Sequence, residues 1–245
     1  MKNRVAIDMV VGQIRATLEK KSQQHQDHLK QLGQQVEDVP LPRNIHFLRQ
    51  TNQIKGMCTI LQNPLTRDVD FNFYFDRLCA ILIEHALEHN DFNSISIETP
   101  TGYTYKGLQE AGQVSAVVKL RGGSCMEKGL RRVIPDCQIG RMLIQSSYRT
   151  GEPELHFAKL PPGIGTHERV LILDTQMSSG GAALMAVRVL LDHGVAEERV
   201  TFVTIFAGNM GVNRLARVFP KIKVLVVDLG KDGVERWVEQ RYFGC

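Results

Sequence analysis

The chain has 245 residues, 43% of them hydrophobic, which suits one α/β domain with a sizeable core plus an appendage. A net charge of +4 permits anionic small-molecule ligands without calling for nucleic acid, and no basic–aromatic alternation marks a base-stacking surface. No apolar run approaches a membrane span and no signal-peptide pattern follows Met1, while Cys58, Cys79, Cys125, Cys137 and Cys245 lack metal-ligand spacing and imply free thiols in a cytoplasmic or nuclear setting.

In chain order, Ile7, Val10, Val11, Ile14 and Leu18 recur at helical spacing and predict an amphipathic helix over 4–20. Lys20 to Glu37 is polar and Gln-rich, either more helix or a loose linker, and Pro40 and Pro42 stop any helix there. The domain boundary falls near Arg43, dividing 1–43 from 44–245. Phe71 to His89 reads as a long, largely buried helix, and Ser94 to Glu98 alternates like a strand. Val114 to Leu120 is a strand, Glu127 to Val133 a helix, and Met142 to Gln145 and Glu154 to Lys159 are strands joined as a hairpin or arm through Thr150–Pro153. A strand from Val170, a helix over Leu184–Leu191, a strand over Val200–Phe206, a helix over Val212–Phe219 and a strand over Ile222–Val227 follow. Alternating β and α after residue 114 predicts a mostly parallel sheet with ligands at the carboxyl ends of its strands. There are no internal repeats and no P-loop kinase motif.

Chemistry concentrates at two strand-following turns. Val170-Leu-Ile-Leu-Asp174-Thr175-Gln-Met-Ser178-Ser179-Gly180-Gly181-Ala182 places one acid at the end of a strand, then a small, hydroxyl-rich, double-glycine turn into a helix. Glycines let the backbone approach a ligand, and the helix start offers free N–H groups and the positive dipole end, so such a turn binds phosphate. Asp174 is placed to accept hydrogen bonds from sugar hydroxyls on the same ligand. The same pattern also fits an ordinary packing turn. The other turn, Arg121-Gly122-Gly123-Ser124-Cys125, offers a guanidinium fork for pyrophosphate, or a surface arginine. Cys125 is read as a small filler rather than a reactive thiol. His85-Ala-Leu-Glu88-His89 matches a zinc-protease pattern, yet it ends a strongly apolar helix and is not taken as a metal site.

Taken in order, the Asp174 loop, the Arg121 turn, Ile139–Gln145, Lys159-Leu-Pro161 and Arg241-Tyr242-Phe243-Gly244 resemble the uracil phosphoribosyltransferase-like domain of the type I phosphoribosyltransferases. The stretches Ala183–His193 and Gly151–His156 look most like the C-terminal domain of eukaryotic uridine/cytidine kinases. The resemblance implies an α/β type I phosphoribosyltransferase fold: a mostly parallel twisted sheet flanked by helices, with a β-arm and an N-terminal helical extension. It implies that Arg121 and Asp174 are the catalytic positions. Arg121, Gly122, Gly123, Asp174, Thr175, Ser178, Ser179, Gly180, Gly181 and Ala182 would bind 5-phosphoribosyl-1-pyrophosphate (PRPP), and Tyr242, Phe243 and Gly244 would contribute weakly to the base. Mg2+ would arrive with PRPP and not sit in a protein cage. It further implies a homodimer or tetramer, GTP as an effector, and a uridine kinase domain upstream, with the helix over 4–20 closing that domain.

The pattern also departs from the family. Ser146 stands where a second arginine is usual, Ala182 replaces a hydroxyl residue, and Gln240 replaces an aspartate. The Pro-Gly-rich uracil loop is absent, and the stretch from Val227 to Arg241 is several residues short. Base specificity resides in such fixed polar groups. Trp237 and Tyr242 either stack on a base or pack in the core. The expected function is therefore PRPP or pyrimidine-nucleotide binding in pyrimidine salvage, as a regulatory or assembly part of a uridine/cytidine kinase with weak or no transferase activity. The alternative is an active enzyme making UMP and pyrophosphate from uracil and PRPP.

Overall fold

A computed structural model describes residues 40–147, 151–230 and 236–242. The helix expected over 4–20, the stretch to Glu37, and Phe243 and Gly244 lie outside the described residues. Among those described, the central sheet has seven strands. They are β1 (Ile45–Phe47), β4 (Val114–Leu120), β5 (Gln138–Ser146), β6 (Pro153–Lys159), β7 (Arg169–Met177), β8 (Val200–Gly208) and β9 (Lys223–Gly230). Their order is β1-β9-β8-β7-β4-β5-β6. Every neighbouring pair is parallel except β5–β6, which forms the expected antiparallel arm. A separate hairpin pairs β2 (Phe92–Glu98) with β3 (Thr104–Glu110). The sequence shows only the first of these strands, because Gly107 interrupts the alternation of the second.

The helices are α1 (Asn52–Gln62), α2 (Asp68–Leu87), α3 (Glu127–Val133), α4 (Gly181–Asp192), α5 (Asn209–Val218) and the short α6 (Val238–Arg241). Thr51 caps α1 by accepting the Ile54 N–H at 3.3 Å. In α2, Phe71, Phe75, Leu78, Leu82 and Ala86 form a stripe at helical spacing that is fully buried. They pack on Val118, Leu171, Leu173 and Val203 from one face of the sheet. Val117, Ile172 and Phe202 point the other way, onto Ala186, Val187 and Leu190 of α4 and Leu215 of α5. Neighbouring residues of one strand thus feed opposite layers, as the two-residue period of a strand requires. Each fully buried Leu, Val or Phe contributes roughly 1.5–3 kcal/mol. No helix among the described residues is long and apolar enough to cross a membrane.

Two strands run further than their apolar runs. β5 begins at Gln138, where Gly140 and Arg141 break the pattern but pairing with β4 sets the register. β7 continues past Leu173 through Asp174, Thr175 and Gln176 to Met177, held by β8 through Asp174↔Thr204 and Met177↔Ala207. Asp174 therefore sits inside the sheet, three residues before the strand ends.

Candidate functional site

The turn expected to bind phosphate forms where β7 stops and α4 begins. Gly180 caps α4 with φ 78°, a left-handed conformation that favours glycine. A Cβ there would also lie 2.8 Å from the Gly211 carbonyl oxygen, because α5 packs against the turn. The first-turn N–H groups of α4 have no acceptor within the helix and face outward with the positive end of its dipole. Ser178, Ser179, Gly180, Gly181 and Ala182 line one side of a cavity of about 340 Å3. Lys119, Arg121, Ser146, Asp174, Arg236 and Glu239 are the charged and hydroxyl-bearing groups among the rest of its lining.

The Arg121 turn is placed by sterics as much as by charge. Residues 122–126 form a 3-10 turn pressed against β7. A Cβ on Gly123 would collide with the Leu173 carbonyl oxygen, and one on Gly122 with the Arg236 guanidinium. Both glycines are buried beneath the cavity and do not line it, whereas Arg121 is exposed to it. Thr175 is fully buried, does not line the cavity, and among the described residues its hydroxyl has no hydrogen-bond partner. Cys125 is fully buried, consistent with a filler.

Asp174 is 2% exposed and heavily engaged. The Arg236 guanidinium donates to it twice, at 2.7 Å to Oδ1 and 3.2 Å to Oδ2. Lys119 Nζ lies 3.1 Å from Oδ2. Arg236 also donates to the Gln176 carbonyl, and its Nε to Glu239 Oε1 at 2.8 Å. Burial alone would raise the Asp174 pKa, but Arg236 and Lys119 outweigh it and hold the carboxyl below its usual value. Burial pushes Lys119 down from the ordinary lysine value despite Asp174. Burial would lower Arg236 too, yet Asp174 and Glu239 raise it.

Lys119, Arg236 and Glu239 are site residues that the sequence reading missed. Lys119 carried a signal, since it is the one charge in the strand Val114–Leu120. Arg236 and Glu239 carried none, lying in a mixed-charge stretch far along the chain. Tyr242 donates its hydroxyl to the buried Asp76 at 2.7 Å and lines neither the main cavity nor a smaller one beside it. That second cavity, about 170 Å3, lies at the carboxyl ends of β7–β9 between Gln62, Phe206 and Trp237. Trp237 packs on Phe71 and Phe206 with ring centroids 5.9 and 5.5 Å apart. His85 Nδ1 pairs with Glu88 at 2.9 Å, and among the described residues no cluster of His, Cys, Asp or Glu is arranged to hold a metal ion.

The family model described as uracil phosphoribosyltransferase matches residues 48–233. The chain belongs to the uracil phosphoribosyltransferase family. It is 38% identical to the uracil phosphoribosyltransferase of Dictyostelium discoideum over 77% of this chain and 87% of that protein. It is also 39% identical to the uridine-cytidine kinase-like 1 protein of Mus musculus, over 94% of this chain and 41% of that protein. Against the uridine kinase of Saccharomyces cerevisiae the identity is 36%, over 99% of this chain and 51% of that protein. The chain thus spans about half the length of the curated kinase relatives it matches. A solved protein of Aquifex aeolicus shares the fold, with a TM-score of 0.66 at 22% identity over 77% of this chain and 88% of that one.

Proposed function

We propose that this domain binds PRPP or a pyrimidine nucleotide by its phosphates and serves as a regulatory or assembly part of a uridine/cytidine kinase, with weak or no transferase activity. One observation carries the reading. The phosphate cradle at Ser178–Ala182 opens onto the cavity, while Asp174, the acid expected to take the ribose hydroxyls, is consumed by Arg236 and Lys119. Phosphoribosyl transfer needs its charged groups fixed around the breaking bond, so a committed acid lowers the rate even where phosphate binds. Ser146 lines the cavity where relatives of the active type usually carry an arginine. Mg2+ would enter on the oxygens of PRPP and offset their charge. The kinase assignment is supported by relatives of that name matched over nearly all of this chain.

Assembly as a homodimer or tetramer, and GTP as effector, belong to the same reading. Leu155 and Phe157 on the β5–β6 arm are 42% and 46% exposed, apolar surface that a subunit contact would cover. An active uracil phosphoribosyltransferase is the second reading, favoured by the coverage of the Dictyostelium enzyme. Chromatographic detection of UMP from uracil, PRPP and Mg2+ separates the two: only trace product is expected, and turnover at an ordinary enzymatic rate would establish the second.

A further inference from the structure

We infer that Arg236 sets the ligand class of this site by standing in for a ribose diol on Asp174, so that the cavity reads phosphate and not sugar. This rests on the phosphate-site reading above. A carboxylate has about four acceptor positions. Here the guanidinium takes one on each oxygen, at 2.7 and 3.2 Å, and the Lys119 ammonium takes another at 3.1 Å. A ribose diol would bring two neutral hydroxyls to those same oxygens. Charge-assisted, bidentate bonds are the stronger competitors, and the buried setting makes their loss costly.

The guanidinium is itself held in place. Glu239 accepts from its Nε, the Gln176 carbonyl accepts from Nη1, and the missing Cβ of Gly122 leaves the space for Nη2. The backbone N–H of the next residue, Trp237, donates to Gln176 Oε1 at 3.0 Å and fixes the chain there. Besides the groups tied up around Asp174, the cavity presents Arg121, Ser178, Ser179 and the start of α4, with Gln145 and Ser146 at its edge. These groups recognise phosphate oxygens and carry no information about a sugar. The expected ligand class is thus a phosphate ester or pyrophosphate, bound with little regard to the hydroxyls of its sugar.

Calorimetric titration of the full chain with ribose 5-phosphate, 2-deoxyribose 5-phosphate and inorganic phosphate tests this. The wild type is expected to bind the two sugar phosphates within about twofold of each other. Arg236→Met and Arg236→Gln, which remove the guanidinium but keep an unbranched stem and leave Asp174 paired with Lys119, are expected to prefer the ribose form by about tenfold or more, the worth of a hydrogen bond to a charged group. The wild-type ratio stands even if a variant fails to fold. A wild-type preference of tenfold for ribose 5-phosphate would overturn the inference alone, because Asp174 would then be reading the diol. So would folded variants that bind both sugar phosphates more weakly than the wild type, since Arg236 would then serve the ligand. Failure of the wild type and the folded variants to bind any of the three ligands would overturn the phosphate-site reading, and the inference with it.

Discussion

At Asp174 a single, almost fully buried carboxylate meets two cations at the wall of the cavity, and their electrostatics bear on stability. Because its folded pKa is depressed, the stability that Asp174 contributes is present above the unfolded value, about 3.9, and is lost as pH falls toward the folded one. Asp174→Asn leaves Lys119 buried without a counter-charge. It is expected to cost about 3–5 kcal/mol in urea unfolding at pH 7 and to flatten the loss of stability below pH 4. An unchanged unfolding midpoint would show that the ion pairs are not formed in solution. Gly123 is a second residue with no latitude, its missing Cβ replaced by the Leu173 carbonyl. Gly123→Ala is expected to destabilise by roughly 1–3 kcal/mol, as overpacked sites do. The acid and the glycines were legible as a motif. The ion pair was not, since 62 residues separate Asp174 from Arg236 and no local pattern joins them.

Among the elements, α2 and the strands it covers were legible from apolar spacing, with ends within a few residues of those expected. The failures have a common cause. β5 and β7 extend through polar residues because a neighbouring strand offers the ladder, which is a tertiary effect invisible to periodicity. The carboxyl end of α2 also holds a pH-dependent contact. His89 packs on His46 of β1 with ring centroids 4.5 Å apart, and its backbone carbonyl accepts from Lys223 of β9. Burial, followed by His46, Lys223 and His85, pushes the His89 pKa down to about 4, although Glu88 opposes this. A depressed histidine contributes stability that is full above its unfolded value near 6.5 and is lost as pH falls through about 4. Stability measured from pH 7 to 4.5 should decline, and His89→Phe should shallow that slope. An identical slope in the variant would place the titration elsewhere. The C-terminal element is anchored by Tyr242 on Asp76. Tyr242→Phe is expected to cost about 1–3 kcal/mol, since it removes a hydrogen bond to the buried Asp76 and leaves it, among the described residues, with Lys128.

For the whole molecule, the ordered motifs identified the family and the sheet that carries them, and the turn expected to bind phosphate lies at the carboxyl end of β7. The sequence could show that the uracil loop was missing, but not that an arginine from the same stretch lies on Asp174. On the proposed reading, such a domain keeps affinity for phosphate while its acid is withheld from the sugar. The most direct measurement is calorimetric titration with PRPP and Mg2+ followed by addition of uracil, with UMP assayed in the cell. The expected result is binding of PRPP and no more than trace UMP once uracil is added. Stoichiometric heat on adding uracil with sustained UMP formation would contradict it, because Asp174 would then have to exchange Arg236 for ribose in every cycle.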